Sequence, residues 1–91
     1  MNPDQLKAYH TKKLKPNKWY AVNEDREKGG WIISKPFDTK RNAVFRVSTD
    51  ETPLKNQGGG LYGNNHGGHI GKGKTLVRDG FIDSGTRFDD E

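Results

Sequence analysis

Gly30-Trp31-Ile32-Ile33-Ser34-Lys35-Pro36-Phe37-Asp38-Thr39-Lys40-Arg41-Asn42-Ala43-Val44-Phe45-Arg46-Val47 packs two apolar runs, a proline turn and two helix-capping residues into eighteen positions. Proline has no amide to give a sheet, so Lys35-Pro36 ends the strand that Trp31-Ile32-Ile33 begins. Asp38 or Thr39 can then offer a side-chain oxygen to the free amides of a first helical turn. Ala43, Val44 and Val47 share one face at helical spacing, with Lys40 at its edge and Arg41 and Phe45 elsewhere. A strand with Ala43, Phe45 and Val47 inward is the alternative, and the capping pair favours the helix.

On the N-terminal side, Trp19-Tyr20-Ala21-Val22 has the residue types of a half-buried strand. The polar stretch Asn23-Glu24-Asp25-Arg26-Glu27-Lys28-Gly29-Gly30 then separates it from Trp31, which predicts an antiparallel hairpin. Residues 1–17 are polar and basic, and Leu6, Ala8, Tyr9 and Leu14 do not hold a helical stripe, so they read as a flexible basic arm.

Beyond Val47, residues 48–53 break the helix. Thr52 and Pro53 can restart it as a single turn over Leu54-Lys55-Asn56-Gln57, stopped by Gly58. Half of residues 58–73 are glycine, which predicts a long mobile loop over 59–74 whose deletion leaves the fold intact. Lys74-Thr75-Leu76-Val77 reads as a strand, Asp79-Gly80 as a hairpin turn and Phe81-Ile82 as the start of the return strand. Residues 84–91 form an acidic, polar tail. The expected architecture is α+β: one domain over 18–83, a small antiparallel sheet with one helix on it, in the order β-β-α-β-β.

The order of short motifs resembles a small family of uncharacterised bacterial and phage proteins, a domain of unknown function. The matching residues are Trp19 and Val22, Phe37-Asp38-Thr39 with Ala43, Asn56-Gln57-Gly58, Leu76-Val77, and Asp79-Gly80-Phe81-Ile82. The resemblance implies the same β-β-α-β-β fold and carries no activity. Pro53, within the family's continuous helix, and the stretch from Gly59 to Lys74 depart from the pattern.

With 91 residues, 29% hydrophobic and 31% charged, one small core is all the chain can build. It has no cysteine, which excludes disulfides and thiolate metal sites and fits a reducing cytoplasm. The sequence carries neither a signal-like start nor a run suited to a membrane. Sixteen Lys and Arg against twelve Asp and Glu give +4. The basic head, with Lys12, Lys13, Lys15 and Lys18, could pair with the acidic end of the chain or meet a partner.

Three chemistries are suggested by the residue types. His66-Gly67-Gly68-His69 spaces two imidazoles as metal ligands can be spaced, but His10 is the only other histidine and the loop is costly to order. No cofactor is expected, and a metal-dependent nuclease on His66 and His69 carries low weight. Gly68-His69-Ile70-Gly71-Lys72-Gly73-Lys74-Thr75 matches the bare spacing of a phosphate loop. Such a loop lies between strand and helix, and neither is expected here, so a nucleotide hydrolase is rejected.

Basic residues interleaved with aromatics remain. Lys12, Lys13, Lys15 and Lys18 flank Trp19-Tyr20, Arg41 lies near Phe45, and Lys72 and Lys74 end the glycine stretch. Lysines neutralise phosphates and aromatic faces stack on bases. The expectation is a small non-enzymatic binding module of the accessory type found in phages and bacteria, with nucleic acid as partner. The alternative is a protein-binding regulator, such as a phage inhibitor of a host enzyme, acting through Tyr62, Phe45 or an open sheet edge.

Overall fold

In the computed structural model, which describes residues 2–47 and 53–89, the chain opens with a helix, α1 (Pro3–Lys13). Asn2 accepts from the Gln5 amide while the Gln5 side chain accepts from the Asn2 amide, a reciprocal cap with Pro3 in the first turn. Residues 3–13 of the expected arm are therefore helical. The helix nonetheless lacks an apolar stripe: His10 alone is buried on α1, and Tyr9 is 49% exposed. Leu14, just beyond it, enters the core, and the Lys15 amide donates to the Tyr20 hydroxyl at 2.9 Å.

The hairpin forms as expected. β1 (Trp19–Glu24) pairs antiparallel with β2 (Trp31–Ile33), setting Val22 opposite Ile33 and Glu24 opposite Trp31. Ser34 closes this end, its hydroxyl accepting from the Ala21 amide and donating to the Lys35 carbonyl. Trp19 and Phe37 exchange backbone hydrogen bonds across the proline turn, at 2.9 and 2.7 Å. The helix reading of residues 40–47 is also right. α2 (Lys40–Val47) starts after Thr39, whose hydroxyl accepts from the Asn42 amide. Ala43 is fully buried, Val44 and Val47 pack beside it, and Phe45 is 71% exposed. The expected break over 48–52, with its Thr52 cap, lies outside the described residues.

From residue 54 onward the structure departs from expectation. Residues 54–57 make no helical turn. They lead instead into β3 (Lys55–Gly58), followed by β4 (Leu61–Gly63) and β5 (Gly68–Lys72), so the expected loop is mostly sheet. Residues 74–77 are helical, within α3 (Gly73–Arg78). Asp79-Gly80 terminates that helix and turns no hairpin. Gly80 takes φ +83°, its amide donates to the Val77 carbonyl, and the Phe81 amide reaches back to the Leu76 carbonyl. Phe81 and Ile82 are buried without forming a strand, and the tail contributes β6 (Arg87–Phe88), parallel to β2.

Among the described residues the β-β-α-β-β order is thus replaced by one six-stranded sheet, β3-β4-β5-β1-β2-β6, with three short helices. The class remains α+β. β5 pairs with both β1 and β4, placing Ile70 between Ala21 and Tyr62. Alternation along the strands divides the core by sheet face. Ala21, Ile70 and Ala43 of α2 fill one side. Tyr20, Val22, Ile33, Leu76, Phe81 and Ile82 fill the other, where Leu14 and α3 pack. Glycine serves the middle of this sheet by keeping backbone bare. A Cβ at Gly63 would lie 2.5 Å from the His69 ring and 2.7 Å from the Gln57 amide nitrogen. The β3 edge is exposed and bulged and carries Lys55, which blunts it as a template for another strand. Among the described residues no helix is long and apolar enough to cross a membrane.

Candidate nucleic-acid interface

At the end of the sheet where β5 runs into α3, an open cleft of about 470 Å³ is bounded by four segments. β1 contributes Trp19, β5 contributes Lys72, the turn between β3 and β4 contributes Gly59 and Gly60, and α3 contributes Lys74, Thr75 and Arg78. Trp19 is half-buried, and Lys72 Nζ stands 5.6 Å from its ring centre. Arg78 Nη2 donates to the Gly59 carbonyl at 2.7 Å, tying the helix to the glycine turn. The same guanidinium makes two bonds to Asp79, at 3.1 and 3.2 Å. That pairing holds the Asp79 carboxyl below the usual carboxylate range and raises Arg78 above its own.

Two hydrogen bonds bring the basic segment of residues 15–18 to this cleft. The Gly73 amide donates to the Lys18 carbonyl at 3.0 Å and the Lys74 amide to the Pro16 carbonyl at 3.2 Å. Lys72 and Lys74 thus lie in the cleft, and Lys15 and Lys18 belong to the segment bonded to its base. Lys18 is already engaged: it forms an ion pair with Asp38, whose carboxyl is pulled down by the hydrogen bond first and the lysine charge second. The other expected residues lie elsewhere. Lys12 is exposed on α1, and Lys13 Nζ sits 4.6 Å from the centre of the Phe88 ring, at the opposite sheet edge. Arg41 stacks over Phe45 on α2 and does not line the cleft. Sequence reasoning missed Arg78 and met Thr75 only as the end of the rejected phosphate-loop spacing, because a strand over residues 74–77 followed by a hairpin turn sends both elsewhere.

Gly73 is the joint of this arrangement. A Cβ there would meet the Lys15 carbonyl oxygen at 2.4 Å and its carbon at 3.0 Å, both backbone atoms that cannot swing aside. Gly73→Ala should therefore cost on the order of 1–3 kcal/mol, the usual range for overpacking. It should also pry residues 15–18 from α3. Chemical denaturation of the two proteins measures this, and an unchanged midpoint would show that the two segments separate freely.

The phosphate-loop spacing has the flanking elements that its residue pattern did not lead one to expect. A strand precedes residue 73 and a helix follows it, which corrects both secondary-structure grounds for rejection. What is missing is the loop. β5 stays paired with β1 through Lys72, and α3 begins at the next residue, so no backbone is left to wrap a phosphate chain.

The two histidines of the glycine stretch have different surroundings. His66 is exposed, in a turn where Asn64 Oδ1 accepts from the His66 and Gly68 amides. His69 lies under the sheet, its ring centre 5.4 Å from Trp31 and 4.9 Å from Phe81. Its Nδ1 is buried without a hydrogen-bond partner among the described residues. No group of three or more His, Asp or Glu able to hold a metal stands among those residues.

Burial pushes the His69 imidazole below its ordinary 6.5, and the charge of Glu24 only partly opposes this. The unfolded chain therefore takes up the proton first as pH falls. The stability that neutral His69 contributes is complete above about 6.5 and is lost as pH drops through the folded value. Acidification from neutrality should lower the melting temperature, and His69→Gln should remove part of that slope. Identical slopes in both proteins would show that His69 does not titrate differently on folding.

The chain matches no family model, no curated protein and no solved structure.

Proposed function

We propose that the chain is a non-enzymatic module that binds nucleic acid through the cleft between β5, α3 and the glycine turn. The supporting observation is that Lys72, Lys74 and Arg78 line one cleft together with the half-exposed ring of Trp19, which Lys72 approaches to 5.6 Å. Cations meet phosphate and an aromatic face accepts a base, a combination that suits single strands, whose bases are free to stack. The mechanism is an electrostatic grip on a rigid scaffold: the lysines stand on a paired strand and the helix that follows it directly. Asp79, the carboxylate beside the cleft, is committed to Arg78 and makes a poor general base.

The grip is centred on residues 72–78, and Lys12, Lys13 and Arg41 are peripheral to it. Changing Lys72 and Lys74 together to Gln should preserve the fold and remove most binding. Each lost phosphate contact should flatten the dependence of log affinity on log salt by roughly one unit. The measurement is a titration of labelled single- and double-stranded DNA and RNA at several salt concentrations. If the wild type binds none of them tighter than ~100 μM at low salt, the nucleic-acid reading is wrong.

One observation favours a protein partner instead. Phe45 is 71% exposed with Arg41 stacked over it, and aromatic and arginine side chains anchor protein interfaces. Binding to such a partner would be lost in Phe45→Ser and would change little with salt.

A further inference from the structure

We infer that the cleft takes one nucleotide bearing a terminal phosphate, the chemistry shared by a free mononucleotide and the phosphorylated end of a strand. The inference rests on the nucleic-acid reading above and narrows it from a backbone to an end. Charge is the first argument. Lys72, Lys74 and Arg78 bring three positive charges to the cleft, and Asp79, bonded twice to Arg78, offsets one. Two remain. A phosphate monoester carries about −1.5 to −2 near neutrality, its second proton leaving near pH 6. An internal diester carries a single negative charge and leaves one lysine unmatched.

Shape is the second argument. A volume of about 470 Å³ falls in the range of small-molecule pockets and is enough for one nucleotide. The hydrogen bond from Arg78 to the Gly59 carbonyl places a strut across the side between α3 and the glycine turn. The polar groups are suitably varied. Thr75, only 6% exposed, lines the cleft, and its hydroxyl lies 3.5 Å from where a Gly60 Cβ would stand. Gly60 brings no side chain of its own between the glycine turn and that hydroxyl. Lys72 Nζ hovers 5.6 Å from the Trp19 ring centre, and its swing toward a phosphate would bare the ring for a base.

The test compares one short single-stranded oligonucleotide in three forms: 5′-phosphorylated, 3′-phosphorylated and without either phosphate. The matching mononucleotide is titrated beside them. A terminal phosphate at one end should tighten binding about tenfold or more, the range of one added hydrogen bond to a charged group. The advantage should shrink below about pH 6, where the monoester gains its proton. In Lys72→Gln/Lys74→Gln the advantage should vanish, with the fold checked by circular dichroism. Equal affinity for all three strands would overturn the inference and leave the nucleic-acid reading standing. A preference that persists in the double variant would overturn it as well. A mononucleotide bound as tightly as the phosphorylated strand would uphold the pocket and show that one nucleotide with its phosphate accounts for the binding, whereas a much weaker mononucleotide would assign the site to strand ends. Absence of binding in every arm would end both.

Discussion

Removing residues 59–74 and closing the gap with a short turn should yield a chain that does not fold. The deletion takes away β4, β5 and the first two residues of α3. β5 joins the β3–β4 hairpin to β1, so its loss strips β1 of five paired positions and leaves β3 without a partner. Ile70, fully buried, goes with it, and α2 loses half of the sheet surface it rests on. Burying one isoleucine side chain contributes roughly 1.5–3 kcal/mol, while a chain of this length holds about 5–14 kcal/mol in all. The backbone pairing and the packing of Leu76 are lost besides. Circular dichroism and amide dispersion in a proton–nitrogen NMR spectrum would decide the matter. A dispersed, native-like spectrum for the deletion variant would mean that the sheet ends at β1.

That expected result reverses what composition suggested, and the reason is physical. Glycine in a sequence signals backbone freedom, yet in a sheet it also marks close approach. Gly63 lies beneath the His69 ring, and Gly71 would set a Cβ 3.4 Å from Thr75 and 3.5 Å from Leu76. The sequence shows that side chains are missing and does not show what lies against the bare backbone. Residues 74–82 are ambiguous for a related reason. Leu76-Val77 followed by Asp79-Gly80 fits a strand and a turn as well as it fits the last turn of a helix, and packing against Gly71 chooses the helix.

Where local chemistry and burial agree, the structure is readable. Trp31-Ile32-Ile33 ended by Pro36, and Thr39 before Ala43, need no distant partner to be interpreted. α1 is signalled by Asn2-Pro3-Asp4-Gln5, a capping pattern outweighed by the weak apolar stripe. The candidate site is half legible. Lys72 and Lys74 stand out beside glycines, whereas Arg78 and Thr75 depend on α3 turning them back toward Trp19. Of the basic arm, Lys13 is drawn to Phe88 and Lys18 to Asp38, contacts that no spacing rule foretells.

Ile70→Ala should be strongly destabilising, costing about 2–5 kcal/mol. The side chain is wholly buried, set between Ala21 and Tyr62 across the strands and packed with Ala43 of α2. Its buried neighbours Ala21 and Ala43 are too short to fill the space left behind, so part of the cavity term persists. Ile70→Val, which removes a single methylene, should cost only about 0.5–1.5 kcal/mol. The graded pair separates a packing defect from general intolerance of the glycine-rich segment. Urea unfolding measures both. Near-equal midpoints for wild type and Ile70→Ala would mean that this face of the sheet is not closed by α2. α2 would then have to be moved off the sheet, and with it Tyr62, over whose ring Lys40 now lies with Nζ 3.6 Å from the centre.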